Sequence, residues 1–550
     1  MIIHLKTAFI KSKFVLSAIL LIVTVYGFYP ADVSAAGALQ VNDNGKSIVV
    51  NTGAGLEYAI NADNGDLTSA KLNGIKLTTS SGKGSHIKSG LGSSADVSWA
   101  MSSDGSSVII TTTEAEDDLT HYYISRSGEN IIYMATYLGD GASFGEMRYI
   151  FRGNGAVLTN TSPNSNNGGS TGNVESQDVK GHANGYTTSK YYDNDQAMDL
   201  GIRGVTGDGV GVFMAYGNRE KSSGGPFFRD IQFQSGGDTE IYNYMFSGHN
   251  QTESLRKGLH GPYAYIFTTG ETPSTPDFSW MSELNLLGWE AERGKVVLNG
   301  LAGMNSSYSY TVGFSNSNAQ YWMTTSAKGS AAKSNMIPGT YTMTVYKGEL
   351  AVHEQNVNVL AGSTTALNTI TIKNDPSSTS ALWRIGDWDG TPLEFLNGQN
   401  ISKFHPSDIR NQSWEPVHFE IDNAANEFPA IQFRGQNSLT TITFDMDATQ
   451  SSFPHEFNIG ITAASNGGRP SVTINGHELK NPPNSSQPKS RSFTIGTYRG
   501  NNATFNWTIP ASYFVEGTNT ISIKPISGNT DSGPWLSAGW AYDVVELLNE

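Results

Sequence analysis

The sequence predicts an all-β protein, three sandwiches in series behind a short leader. Three observations carry this reading. Short runs rich in Val, Ile, Thr and aromatic residues recur between Gly, Asn, Ser and Asp punctuation, as in Ser107-VIITTT, Asn130-IIYMATYL, Gly209-VGVFMAY and Tyr263-AYIF. Runs of this kind at short, turn-bounded intervals are antiparallel strands. Long apolar stripes at helical spacing are missing, and only single turns, such as the one around Ser282–Leu287, read as helical. Glycine supplies 60 of the 550 residues, about 11% where roughly 7% is usual, as a chain of many tight turns requires.

Taken in order, the first element is a leader over residues 1–35. Lys6, Lys11 and Lys13 precede the apolar run FVLSAILLIVTVYGFY from Phe14 to Tyr29, and the small-residue stretch Val33-Ser34-Ala35 follows. A basic start, a moderate apolar core and a V-S-A site read as a secretory signal peptide cleaved near Ala35. The run is short for a spanning helix, so the mature chain is expected to be secreted, soluble and off the membrane. The chain contains no cysteine. That removes Cys-ligated zinc, iron–sulfur clusters, thiol catalysis and disulfide scaffolds.

Residues 37–290 form the second element. Short strands alternate there with Gly/Asn-rich loops such as Ser162-PNSNNGGSTGN, the pattern of a large two-sheet sandwich. Residues 291–375 hold about seven strand-like runs and no obvious chemistry, which predicts a small sandwich of immunoglobulin or fibronectin type. The linker-like Pro376-SSTSAL opens the last element, residues 376–550. It carries six of the ten tryptophans: Trp383, Trp388, Trp414, Trp507, Trp535 and Trp540. Such rings either stack on carbohydrate or fill a core, and Trp is highly buried on average.

The formal charge is −15. An acidic chain with few basic residues releases few phosphate counterions, so nucleic acid is excluded as a partner. No nucleotide loop, HExxH or EF-hand spacing occurs. Asp387-Trp388-Asp389-Gly390 matches only a fragment of a calcium loop. The densest unusual segment is residues 186–263, where aromatics, amides, glycines and isolated cations interleave. Residues 181–260 hold seven Lys+Arg against nine Asp+Glu, so an anion site there must use individually placed cations. Rings, amides and one or two cations for a carboxylate are the makings of a groove for acidic saccharide.

Four motifs, Ser222-SGGPFFRDI, Tyr242-NYMFSGHNQTE-Ser254, Leu259-HGPYAY and Leu382-WRIGDWDGTPLEFLN, together resemble the rhamnogalacturonan lyases of polysaccharide lyase family four. The resemblance runs along the whole mature chain. It implies an N-terminal β-sandwich of the galactose-mutarotase type, a fibronectin type III-like sandwich and a C-terminal jelly roll like carbohydrate-binding modules. It also implies β-elimination at the rhamnose-(1→4)-galacturonate bonds of rhamnogalacturonan I, the pectin backbone, leaving a 4,5-unsaturated galacturonate.

That reaction sets three demands. The C5 proton is α to a carboxylate and poorly acidic. A cation on the carboxylate stabilises the enolate-like transition state more than the ground state. A base must reach C5, and an amine serves when desolvation or a neighbouring cation makes it neutral. The O4 leaving group needs a proton. Carried over position by position, the resemblance implies Lys190 in Gly185-YTTSKYY as the base and His249 as the acid. It implies Arg148 in Gly145-EMRYIF as the carboxylate's partner, with Arg152 four residues on as the nearest rival. Tyr242 and Tyr244 would line the groove, although one shared strand face serves a core equally well. Glu253, four residues after His249, is placed to orient it if both lie in one strand. Gly224, Gly225 and Pro226 read as turn formers.

No metal site is expected and no cofactor is needed for catalysis, with room left for a structural calcium. The expected partner is the polysaccharide, and the protein a monomer. Two other classes stay open. A glycoside hydrolase needs a carboxylate pair, for which Asp230, Asp238 and Glu253 are available without a telling spacing. A non-catalytic pectin-binding protein would also suit three sandwiches.

Overall fold

The computed structural model describes residues 37–80, 85, 95–247, 253–485, 487, 492–496, 499–527 and 533–549. The leader lies outside them. Among the described residues the structure is strands and short turns. The turn expected around Ser282–Leu287 is a 3-10 turn, Ser279–Leu284, and the one α-helical segment spans Ser492–Ile495. No helix among them is long and apolar enough to cross a membrane.

Period-two alternation builds the first sandwich. In Ser107–Glu114 every second residue is buried, and Leu56–Asn61 alternates the same way. A seven-stranded antiparallel sheet runs in the order Ile202–Gly207, Val210–Ala215, Gly258–Thr268, Ile131–Leu138, Leu119–Arg126, Ser107–Glu114, Asp96–Met101. Val210–Ala215 is buried throughout because the sheet is covered twice. Its inner face packs into the main core with Tyr58, Tyr149, Phe151 and Tyr265. Its outer face is closed by Phe278, Met281 and Leu286. Opposite stand a five-stranded sheet spanning residues 40–76 and a three-stranded sheet ordered Met147–Asn154, Asp238–Phe246, Phe233–Gln234. A bridge from Thr78 to Gly153 ties these two together.

The second sandwich sets four strands (Gln320–Thr324, Tyr310–Ser315, Gly339–Lys347, Leu350–Val359) against three (Ala331–Met336, Gly294–Leu298, Thr364–Leu367). Its core includes Trp388 and Val544 from the third region. The third region is a sandwich of two five-stranded sheets, with Gly539–Leu548, buried along all ten residues, at the centre of one. Trp383, Trp388, Trp414 and Trp540 are buried, and Trp507 and Trp535 pack partly buried against the same core. These rings fill the interior, so the glycan-stacking alternative fails for the four buried ones. Each fully buried large apolar side chain of this kind contributes about 1.5–3 kcal/mol. Of the calcium-loop fragment, Asp389 accepts from Thr391 N and Oγ1, both at 2.8 Å, and the Asp387 amide donates to Glu394.

Candidate active site

The site is prepared by the register of two strands. In Met147–Asn154 the residues Met147, Tyr149 and Phe151 point into the main core, so Arg148, Ile150 and Arg152 share the opposite face. In Asp238–Phe246, Ile241 and Met245 face the core, which turns Glu240, Tyr242 and Tyr244 outward. Pairing sets Arg148 opposite Tyr244, Ile150 opposite Tyr242 and Arg152 opposite Glu240. The Tyr242 and Tyr244 rings stack at 5.8 Å with an 18° tilt. The Arg148 guanidinium lies 5.6 Å from the Tyr244 ring centroid, pairs with Glu146, and has no partner for Nε among the described residues. Arg152 pairs with Glu240, which also accepts from the Tyr242 hydroxyl. Burial pushes the Tyr242 phenol up to about 12 and Tyr244 well above its ordinary value. Both therefore stay protonated, as hydroxyl donors, at any working pH.

Lys190 arrives on a separate small sheet, Gly172–Glu175, Val179–Gly181, Thr187–Thr188, in the turn just after its last strand. The next residues, Tyr191 and Tyr192, pack with Ile150, Tyr242 and Tyr244, which seats the lysine loop on the face bearing Arg148. The Lys190 Nζ lies 3.6 Å from Asp178 and 5.4 Å from the Tyr191 ring. Its side chain keeps 26% exposure.

The third region braces this loop from both ends. Asp408, fully buried, accepts from Thr187 N at 2.5 Å and from Thr187 Oγ1 at 2.8 Å. Arg410 grips Asp408 through Nε and Nη2, donates to Asn164 and the Thr187 carbonyl, and lies between the Tyr186 and Phe404 rings at 4.3 and 4.2 Å. Beyond Lys190, the Tyr192 hydroxyl donates to Thr494 O at 2.7 Å. Glu175 meets His405 Nε2 at 3.0 Å and Thr494 Oγ1 at 3.3 Å. Removing Asp408 strands the buried Thr187 amide and hydroxyl, and a buried donor left without its acceptor costs about 1–3 kcal/mol. Asp408→Ala is therefore expected to lower the melting temperature clearly and turnover with it. Unchanged melting and turnover in that variant would contradict the bracing role.

Of the residues singled out in the sequence, Arg148, Tyr242 and Tyr244 share one face with Lys190's neighbours. His249 lies outside the described residues. Glu253 does not sit in the strand, which ends at Phe246, so the same-face reason for pairing it with His249 falls. Its carboxylate accepts from Gly224 N at 2.6 Å and lies 3.5 Å from Arg499 Nη2, and Arg499 also donates to Gly224 O. Gly224 has φ +106°, and a Cβ there would meet the Phe228 ring at 2.3 Å; its role as a turn former holds. Of the carboxylates considered for hydrolysis, Asp238 accepts from Thr79 and Glu253 is held as described. Sequence reasoning missed Asp178, close to Lys190 in the chain, and Asp408 and Arg410, whose bonds to Thr187 span 221 and 223 residues. It also passed over Glu240, although its alternation with Tyr242 and Tyr244 was visible.

Tyr242 and Tyr244 are each 5% exposed and sit in a buried cluster with Tyr191 and Tyr192, beneath the Lys190 loop and beside Arg148; on a modular all-β chain, comparison with known proteins says what class of protein this is. Residues 39–288 match the family described as rhamnogalacturonan lyase B, N-terminal, residues 292–367 match domain II of polysaccharide lyase family 4, and residues 381–547 match its domain III. The chain is 38% identical to "Probable rhamnogalacturonate lyase A" of Aspergillus flavus, over 94% of this chain and 96% of the relative. It is likewise 38% identical to the rhamnogalacturonate lyases A of Emericella nidulans and Aspergillus aculeatus, in each case over 94% of this chain and 97% of the relative. The chain belongs to polysaccharide lyase family 4.

Proposed function

We propose that this chain is a secreted, monomeric rhamnogalacturonan lyase. It cuts the rhamnose-(1→4)-galacturonate bonds of rhamnogalacturonan I by β-elimination. The observation that supports this most is the register that pairs Arg148 with Tyr244 on the face where the Lys190 loop is seated. Family membership adds the substrate class.

In this reading the galacturonate carboxylate pairs with Arg148, whose planar fork suits a carboxylate. Tyr244 donates to a sugar hydroxyl, whereas the Tyr242 hydroxyl, which donates to Glu240, offers its oxygen as an acceptor. Lys190 Nζ takes the C5 proton. The C5–H electron pair becomes the C4=C5 double bond, and the C4–O4 bond breaks with its electrons on O4. His249, assigned on its motif alone, protonates that oxygen. The products are a new reducing rhamnose and a 4,5-unsaturated galacturonate, with no water consumed.

Incubation with purified polymers tests this. Rhamnogalacturonan I should yield unsaturated oligosaccharides, and homogalacturonan should be a poor substrate, because rhamnose must fill the adjoining subsite. Equal rates on both polymers would sink the substrate assignment. Turnover is also expected to survive exhaustive chelation, because an arginine neutralises the carboxylate. Loss of activity in EDTA with the fold intact would contradict Arg148's role, whereas a lower melting temperature alone would indicate a structural ion. Export predicts a mature N-terminus following Ala35, which N-terminal sequencing of the secreted protein reads directly.

A further inference from the structure

A cavity lies between the first and second sandwiches, and Lys190 is not among its lining residues. It measures about 480 Å³, within the ~300–1,000 Å³ usual for ligand sites. Its walls include the rings of Tyr216, Phe278 and Trp322, and two cations, Arg219 and Lys333, line it. Gly217 keeps one wall open: a Cβ there would meet Pro262 O at 2.3 Å and the Phe278 ring at 2.9 Å.

The charges distinguish this cavity from ordinary interdomain space. The one carboxylate among its lining residues, Glu220, is already taken by Arg293 at 2.7 and 3.2 Å and by the Tyr321 hydroxyl at 2.5 Å. Neither Arg219 nor Lys333 forms an ion pair among the described residues. Arg219 spends its Nη atoms on Tyr244 O at 3.2 Å and Asn243 Oδ1 at 3.5 Å, and its buried Nε has no partner. Burial pushes the pKa of both cations down, with Glu220 partly offsetting this at Lys333 and Asp230 at Arg219. In a chain with 50 acidic and 35 basic residues, two unpaired cations in one aromatic-walled cavity are a specific provision for an anion.

We infer that this cavity is a second saccharide subsite, which takes a uronate-bearing stretch of the polymer through Lys333, Arg219 and the faces of Phe278 and Trp322. Rings supply the apolar platform for a sugar, and the cations select a carboxylate-bearing one. The Arg219 contact with the Tyr244 carbonyl ties it to the strand that carries Tyr242 and Tyr244. The inference rests on the lyase reading above.

The test uses the full chain carrying Lys190→Ala, which is expected to bind without cutting. Long rhamnogalacturonan I oligosaccharides and their carboxyl-reduced counterparts are titrated calorimetrically. Lys333→Gln and Trp322→Ala, each added to that background, should weaken binding of the acidic oligosaccharide about tenfold, as loss of a charged hydrogen bond does, with melting temperature unchanged. Lys333→Gln should also narrow the preference over the reduced form, with Arg148 and Arg219 keeping the remainder. With Lys190 restored, Lys333→Gln should raise KM on the polymer and leave kcat near wild type. Unaltered affinity in both variants, or an acidic-over-reduced preference that Lys333→Gln leaves unchanged, would overturn the subsite. Neither result would touch the lyase reading, which fails separately if Lys190→Ala keeps its turnover.

Discussion

Lys190→Ala should lower turnover on rhamnogalacturonan I by about 10²- to 10⁴-fold, the range that a positioned general base supplies. KM should change little, because the base acts mainly in the transition state. Lys190→Arg should fare nearly as badly, since a guanidinium stays protonated at any workable pH. The pair separates proton abstraction from simple attraction of a polyanion. Attraction alone would be largely restored by arginine, and the 26% exposure of Lys190 leaves space for the larger head. The pH–rate profile gives a second reading. If one group must be neutral and another protonated, the profile is bell-shaped, and His249→Ala removes or shifts one limb. Near-wild-type turnover in Lys190→Arg would refute the base and leave the fold untouched.

Arg148→Ala should lower kcat by about 10²- to 10³-fold, the usual cost of deleting a preorganised donor to developing charge. The contrast with Arg152 is informative because both lie on one strand face. Arg152 is matched to Glu240, whose side chain is 7% exposed. Arg152→Ala therefore strands a buried carboxylate and should cost stability first, about 3–5 kcal/mol. Arg148 pairs with Glu146, 30% exposed, which water can re-solvate, so Arg148→Ala should melt close to wild type. Denaturant unfolding and steady-state kinetics on the two variants separate the roles. If Arg152→Ala kept its stability and lost turnover while Arg148→Ala did the reverse, the substrate's partner would be Arg152.

Much of this was legible in the chain because it is written in period-two patterns. MRYIFRGN and DTEIYNYMF each carry their core residues at alternate positions, so the shared face of Arg148 and Arg152, and that of Tyr242 and Tyr244, follow from local spacing. The register that brings those faces together does not, because strand pairing is a long-range choice. Asp408 illustrates the limit. It sits 221 residues from Thr187, and nothing near it in sequence marks it as a brace for the Lys190 loop. Glu253 shows another limit: a four-residue offset from His249 puts both on one face only within a strand, and the strand stops at Phe246. The tryptophans of the third region were ambiguous because composition counts rings without saying which side of a sheet they face.

The reaction itself is tested most directly by cutting rhamnogalacturonan I in heavy-oxygen water and weighing the products. β-Elimination breaks the C4–O4 bond without adding water. It predicts unsaturated oligosaccharides lighter by one water than hydrolysis products, free of solvent oxygen at the cut, and absorbing in the ultraviolet. Saturated products carrying one heavy oxygen atom per cut, on the new reducing end alone, would contradict it and make the protein a hydrolase.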